Sequence, residues 1–136
     1  MKTHAFRLTK GTDLKKEIEK YAEENNIKAG CVVSAVGCLT QVTLRSAGAK
    51  KEKTFVGEYE ITSITGTVSS DGAHLHISCA DSSFNMLGGH LKESSLVDTT
   101  AEIVILEFPN YNFKRKLDPN TGYKELVISS NMIQKL

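Results

Sequence analysis

One helical stripe, followed by strand-like pattern alone, constrains the fold of this 136-residue chain. Leu14, Ile18, Tyr21 and Ala22 recur at three- and four-residue spacing and fall on one face of a helix over 13–25. Charged residues from Lys15 to Glu24 cover its other faces. Thr12 or Asp13 can cap its start by accepting from a free backbone N–H. Asn25-Asn26 suits its end, where a left-handed residue often closes the last turn.

Everything after residue 30 reads as strand. Cys31 to Val36 is almost continuously apolar, as in a strand covered on both sides. Gln41 to Ala47 alternates, Glu58 to Val68 is rich in β-branched and aromatic residues, and Ala73 to Ala80 and Ala101 to Phe108 follow. Asn112 to Leu117 and Tyr123 to Ser129 flank the turn signal Asp118-Pro119-Asn120-Thr121-Gly122. Residues 3–9 add a first strand, and the polar stretch Ser94 to Thr100 reads as a loop. The expected fold is α+β: a single domain over 1–136, with a curled mixed or antiparallel sheet or barrel. It has about seven to eight strands and one main N-terminal helix.

Three histidines of the four in the chain fall within this β region. His74 and His76 lie two apart, so on a strand both imidazoles point the same way. Leu75, Ile77 and Cys79 take the opposite, core-facing side. His90 follows Gly88-Gly89, whose freedom can turn the backbone and bring the third imidazole onto that face. Three neutral nitrogens suit zinc with one position left open; nickel or iron are alternatives. No Asp or Glu is placed by the sequence as a fourth ligand. His4 lies in a different segment and is read as a surface residue. Arg45 is a candidate contact for an anionic ligand, and Glu60 and Glu102 are candidate pocket or outer-sphere groups. The bland roles compete: a snorkelling arginine, and carboxylates in salt bridges or subunit contacts.

The formal net charge is +1, whereas a domain that binds nucleic acid unaided usually carries a strong basic excess. The clusters Lys50-Lys51-Glu52-Lys53 and Lys114-Arg115-Lys116 read as solvated charge. No apolar run approaches the ~18 residues of a membrane span, and Met1 to Arg7 lacks the apolar stretch of a secretory signal. The expected location is the cytoplasm. Cys31, Cys38 and Cys79 form no C-x-x-C and are odd in number, so all three read as small buried hydrophobes.

Several landmarks stand in a recognisable order: Gly11-Thr12-Asp13-Leu14, Ser34-Ala35-Val36-Gly37, Gly57-Glu58-Tyr59-Glu60-Ile61, Ser63-Ile64-Thr65-Gly66-Thr67, His74-Leu75-His76-Ile77, Gly88-Gly89-His90-Leu91 and Thr99-Thr100-Ala101-Glu102. The set, covering 3–130, resembles the plant-and-prokaryote conserved (PPC) domain. The resemblance implies a compact subunit in a homotrimer. It implies a protein-contact surface at Gly57, Glu58, Tyr59, Glu60, Ile61 and Thr62. The label "DNA-binding" is attached to bacterial relatives, but nothing here matches the AT-hook that precedes the domain in plants, and autonomous DNA binding is expected to be weak or absent. The architecture is also similar, more distantly, to α-acetolactate decarboxylase, which holds zinc by an H-x-H pair and a later histidine. Counterparts for the rest of that active site are not found, so its chemistry is not carried over. The expected function is a trimeric metal-binding module, binding or regulatory, with a small anionic ligand or a protein as partner. The alternative is a zinc-dependent lyase or hydrolase acting on a small anionic substrate.

Overall fold

One long strand, residues 30–45, changes neighbours along its length. The computed structural model describes residues 1–130. In chain order they form β1 (Lys2–Thr9), α1 (Leu14–Glu24), β2 (Gly30–Arg45), β3 (Glu52–Ser69), β4 (Gly72–Asp81), β5 (Met86–Leu91), β6 (Leu96–Glu107), β7 (Tyr111–Leu117) and β8 (Lys124–Ser130). β2 pairs with β3 along one edge and with β6 along the other as far as Gln41; there β6 ends and Leu44 and Arg45 pair with β5 instead. The sheet order β1-β6-β2-β3-β4-β5 therefore curls until β5 meets β2, a partly closed barrel. Register shifts near Val32, Gly37 and Leu39 accompany the curl, as bulges bend a strand and sharpen its twist. β7 and β8 make a separate hairpin.

α1 closes the curl against β3, β4 and β6. Its Leu14, Ile18 and Ala22 are fully buried, Leu14 and Ile18 each contributing about 1.5–3 kcal/mol by burial. Asp13 caps the helix by accepting from the Lys16 backbone N–H at 3.1 Å, and its other oxygen accepts from the Ser94 N–H at 2.6 Å. Asn26, at φ +50°, takes the left-handed turn expected after the helix. The barrel supplies the rest of the core, with Leu39, Val42, Leu75, Cys79, Leu91, Ile103 and Ile105 buried.

Several expectations change. The runs 31–36 and 41–47 are halves of one strand, β2, ending at Arg45. Residues 96–100 open β6 rather than forming a loop, because Val97 fills the core opposite Leu39 while Asp98 and Thr99 face outward. Met86 to Leu91, not expected as a strand, is β5. His4 is not a surface residue. It is buried, with Nδ1 3.0 Å from the Tyr21 hydroxyl and Nε2 2.9 Å from Glu107 Oε2. Of the cysteines only Cys79 is fully buried, which pushes its thiol up to about 11; Cys31 and Cys38 are half-buried.

Candidate metal centre

Alternation along β4 puts Leu75, Ile77 and Cys79 into the core and leaves His74 and His76 outside. β5 lies antiparallel beside β4 with His90 directly opposite His76. Gly88 and Gly89 do not make a turn. They let β5 wedge between β4 and β2: a Cβ at Gly88 would stand 2.5 Å from the Ile77 carbonyl oxygen, and one at Gly89 2.9 Å from that of Arg45. The three rings converge, with centroids 5.0 Å apart for His74–His76 and His74–His90 and 5.5 Å for His76–His90.

The donor set fits a divalent cation. Imidazole nitrogens about 2.0–2.1 Å from a tetrahedral zinc stand about 3.3 Å from one another. His74 Nε2 and His76 Nε2 are 3.2 Å apart, and one nitrogen from each of the three residues lies within 4.8 Å of the others. His74 and His76 are exposed and His90 is half-buried, so the outer side of the cluster stays open.

The electrostatics favour the neutral form of His90 and His74, the form that ligates. Burial, then the Arg45 guanidinium, then His74 and His76, lower the His90 pKa to about 4. Burial, then Arg115, then His76, hold His74 below the ordinary histidine value, with Glu125 opposing.

Arg45, paired in register with His90, stands at the cluster: its Nη2 is 3.5 Å from His90 Nδ1, and its guanidinium lies 5.5 Å from the Tyr123 ring centroid. Two adjoining cavities of ≈250 and ≈530 Å³ share Arg45, His74, His90 and Tyr123 as walls. Glu60 and Glu102 are not among those walls. Glu60 lines a different cleft with Cys38, Asp81 and Asp98, its Oε2 3.7 Å from Cys38 Sγ. Glu102 is exposed on β6, opposite Arg7 on one side and Val36 on the other. Within Gly57–Thr62, Glu58, Tyr59 and Glu60 line that same acidic cleft, and Ile61 points into the core.

Sequence reasoning missed the hairpin's share of the site. Arg115, Tyr123, Lys124 and Glu125, from β7, the turn and β8, wall the smaller cavity together with Glu19 of α1. Asp71 Oδ2 accepts from the Arg115 backbone N–H at 2.7 Å and Thr67 Oγ1 accepts from its Nη2 at 2.8 Å, fixing the hairpin against β3 and the β3–β4 turn. Alternation within Lys114-Arg115-Lys116 was the available signal, since only the middle residue turns inward.

Comparison with known proteins adds a family to this geometry. A family model described as the Plants and Prokaryotes Conserved (PCC) domain matches residues 1–109. A Synechococcus protein named "Bifunctional protein GlmU" is 44% identical over 128 residues, which are 94% of this chain and 20% of that protein. The chain thus spans about a fifth of the length of that protein and of a second Synechococcus protein of the same name. A solved hypothetical protein from Salmonella enterica superposes with a TM-score of 0.91 at 35% identity, covering 96% of this chain and 95% of its own. A solved Archaeoglobus fulgidus protein, titled a metal-containing protein, gives 0.76 at 27% identity, covering 93% and 94%.

Proposed function

The chain belongs to the Plants and Prokaryotes Conserved domain family, and from that premise we propose that it is a cytoplasmic, homotrimeric binding or regulatory module built around a divalent cation, zinc first, held by His74, His76 and His90. The observation that carries this reading is the convergence of three ligand nitrogens within 4.8 Å on two neighbouring strands. The metal-containing Archaeoglobus relative supports the cation. The module role is supported by the Synechococcus relative, in which a domain of this kind makes up about a fifth of a longer protein. Exposed Val33 and Val36 on β2 offer apolar surface for self-association. No helix among the described residues is long and apolar enough to cross a membrane.

A second reading, a zinc-dependent lyase or hydrolase for a small anionic substrate, is favoured by the open cavity beside the cluster and by Arg45 in its wall. A bound zinc would act as a Lewis acid and lower the pKa of its water toward about 7. The residues here would orient: Arg45 is placed to hold a negative group, and Tyr123 and the 46–49 turn narrow the approach. Autonomous DNA binding ranks lowest, because the net charge is +1.

An anomalous-scattering scan at the metal absorption edges tests the proposal on crystals of protein purified without added metal. One peak in bonding contact with His74, His76 and His90 is the expected result. No peak there, with the three residues ordered, overturns it.

A further inference from the structure

Two guanidinium groups reach the histidine cavity from different parts of the fold, and neither has a carboxylate partner among the described residues. Arg45 touches only the His90 ring, at the outer limit of a hydrogen bond, and the Tyr123 face. Arg115 donates from Nη2 to Thr67 Oγ1. The carboxylates of the cavity are engaged elsewhere: Glu19 pairs with Lys15, and Glu125 accepts from the Thr121 hydroxyl at 3.1 Å. Half-buried arginines normally find a carboxylate or a ligand, since an unpaired desolvated charge is costly.

We propose that the β7–β8 hairpin completes a carboxylate subsite, in which Arg115 from the hairpin and Arg45 from β2 grip the carboxylate of a small organic acid whose other end reaches the three histidines. A guanidinium presents paired N–H donors in a fixed plane that matches a carboxylate. The cavity of ≈250 Å³ is smaller than the roughly 300–1,000 Å³ of sites for drug-sized ligands, so the acid is of few carbons. Ala73 and the Tyr123 ring give it apolar wall as well as charge, which favours a carbon-bearing anion over inorganic phosphate. The hairpin lies beyond residues 1–109, where the family model matches. Selection of the ligand thus falls to a segment outside the residues that the family model matches.

The subsite deepens the metal-module reading and rests on it only for the ligand's far end. Isothermal titration of the protein as purified, with malonate and with phosphate as separate titrants, tests it beside elemental analysis of the same samples. Malonate is expected to bind saturably. Arg45→Lys and Arg115→Lys, which keep the charge and lose the fork, are each expected to weaken binding about tenfold or more with metal content unchanged. Should Arg115→Lys unfold the hairpin, Arg45→Gln on the barrel strand decides alone. Malonate affinity unchanged in these variants, absent in the wild type, or exceeded by phosphate overturns the subsite. Arginine-dependent malonate binding by protein that carries no metal would sink the metal reading and leave the subsite standing.

Discussion

His76 and His90 stand directly opposite each other across the β4–β5 ladder. Directly opposed residues of an antiparallel pair hold their Cβ atoms about 4.5–5.5 Å apart. The backbone pairing therefore sets two candidate ligands at working distance, and the alternation of β4 adds His74 on the same face. The cluster is a property of sheet register, not of a flexible loop.

Acid should weaken the metal-free protein through His90 and His74. The His90 pKa is lowered to about 4, against about 6.5 in an unfolded chain, and His74 shifts in the same direction. Between those values the unfolded state binds protons that the folded state does not, so stability rises with pH and is lost as pH falls through the window. Thermal unfolding of chelator-treated protein across that range should show the midpoint falling. His90→Ala should flatten the slope. Parallel slopes for the two proteins would count against the account.

Register also makes Gly88 intolerant of a side chain. A methyl there meets the Ile77 carbonyl oxygen at 2.5 Å and the Ser78 Cα at 3.2 Å, both of them β4 backbone that cannot give way. Gly88→Ala should cost roughly 1–3 kcal/mol of stability and lower metal affinity by shifting β5 and His90 with it. Gly57→Ala, whose methyl would meet only the Tyr59 ring at 3.4 Å, is the control. Denaturant unfolding checks both; equal midpoints for the two variants would be the contrary result.

What was legible in the sequence was local. The stripe Leu14-Ile18-Ala22 and the two-residue spacing of His74 and His76 report helix and strand faces directly, because those periods belong to the backbone. β5 was not legible: Leu87-Gly88-Gly89 has poor strand propensity, and its conformation is imposed by β4 and β2 on either side. The burial of His4 depends on Glu107, and the inward turn of Arg115 depends on Asp71 and Thr67, all distant in sequence. The places of Glu60 and Glu102 were not legible for a related reason. Composition shows that a carboxylate exists, but not which end of the sheet its strand carries it to.

Assembly is checked by light scattering after gel filtration. Val33 and Val36 lie exposed on β2, and Leu117, Val127 and Ile128 on the hairpin, apolar surface that association would cover. The expected mass is three times that of the 14.9 kDa subunit. A monomer mass at micromolar concentration would contradict the trimer.

Whether His74, His76 and His90 form one metal site is decided by elemental analysis after dialysis against a weak chelator. The wild type should retain close to one divalent ion per chain. Removal of an outer-sphere partner alone costs about 10–100-fold in affinity, so loss of a ligand in His74→Ala, His76→Ala or His90→Ala should cost at least that and empty the site. His4→Ala should keep the metal while losing stability, since His4 joins Tyr21 to Glu107 in the folded chain. Wild-type metal content in His74→Ala and His90→Ala would contradict the account.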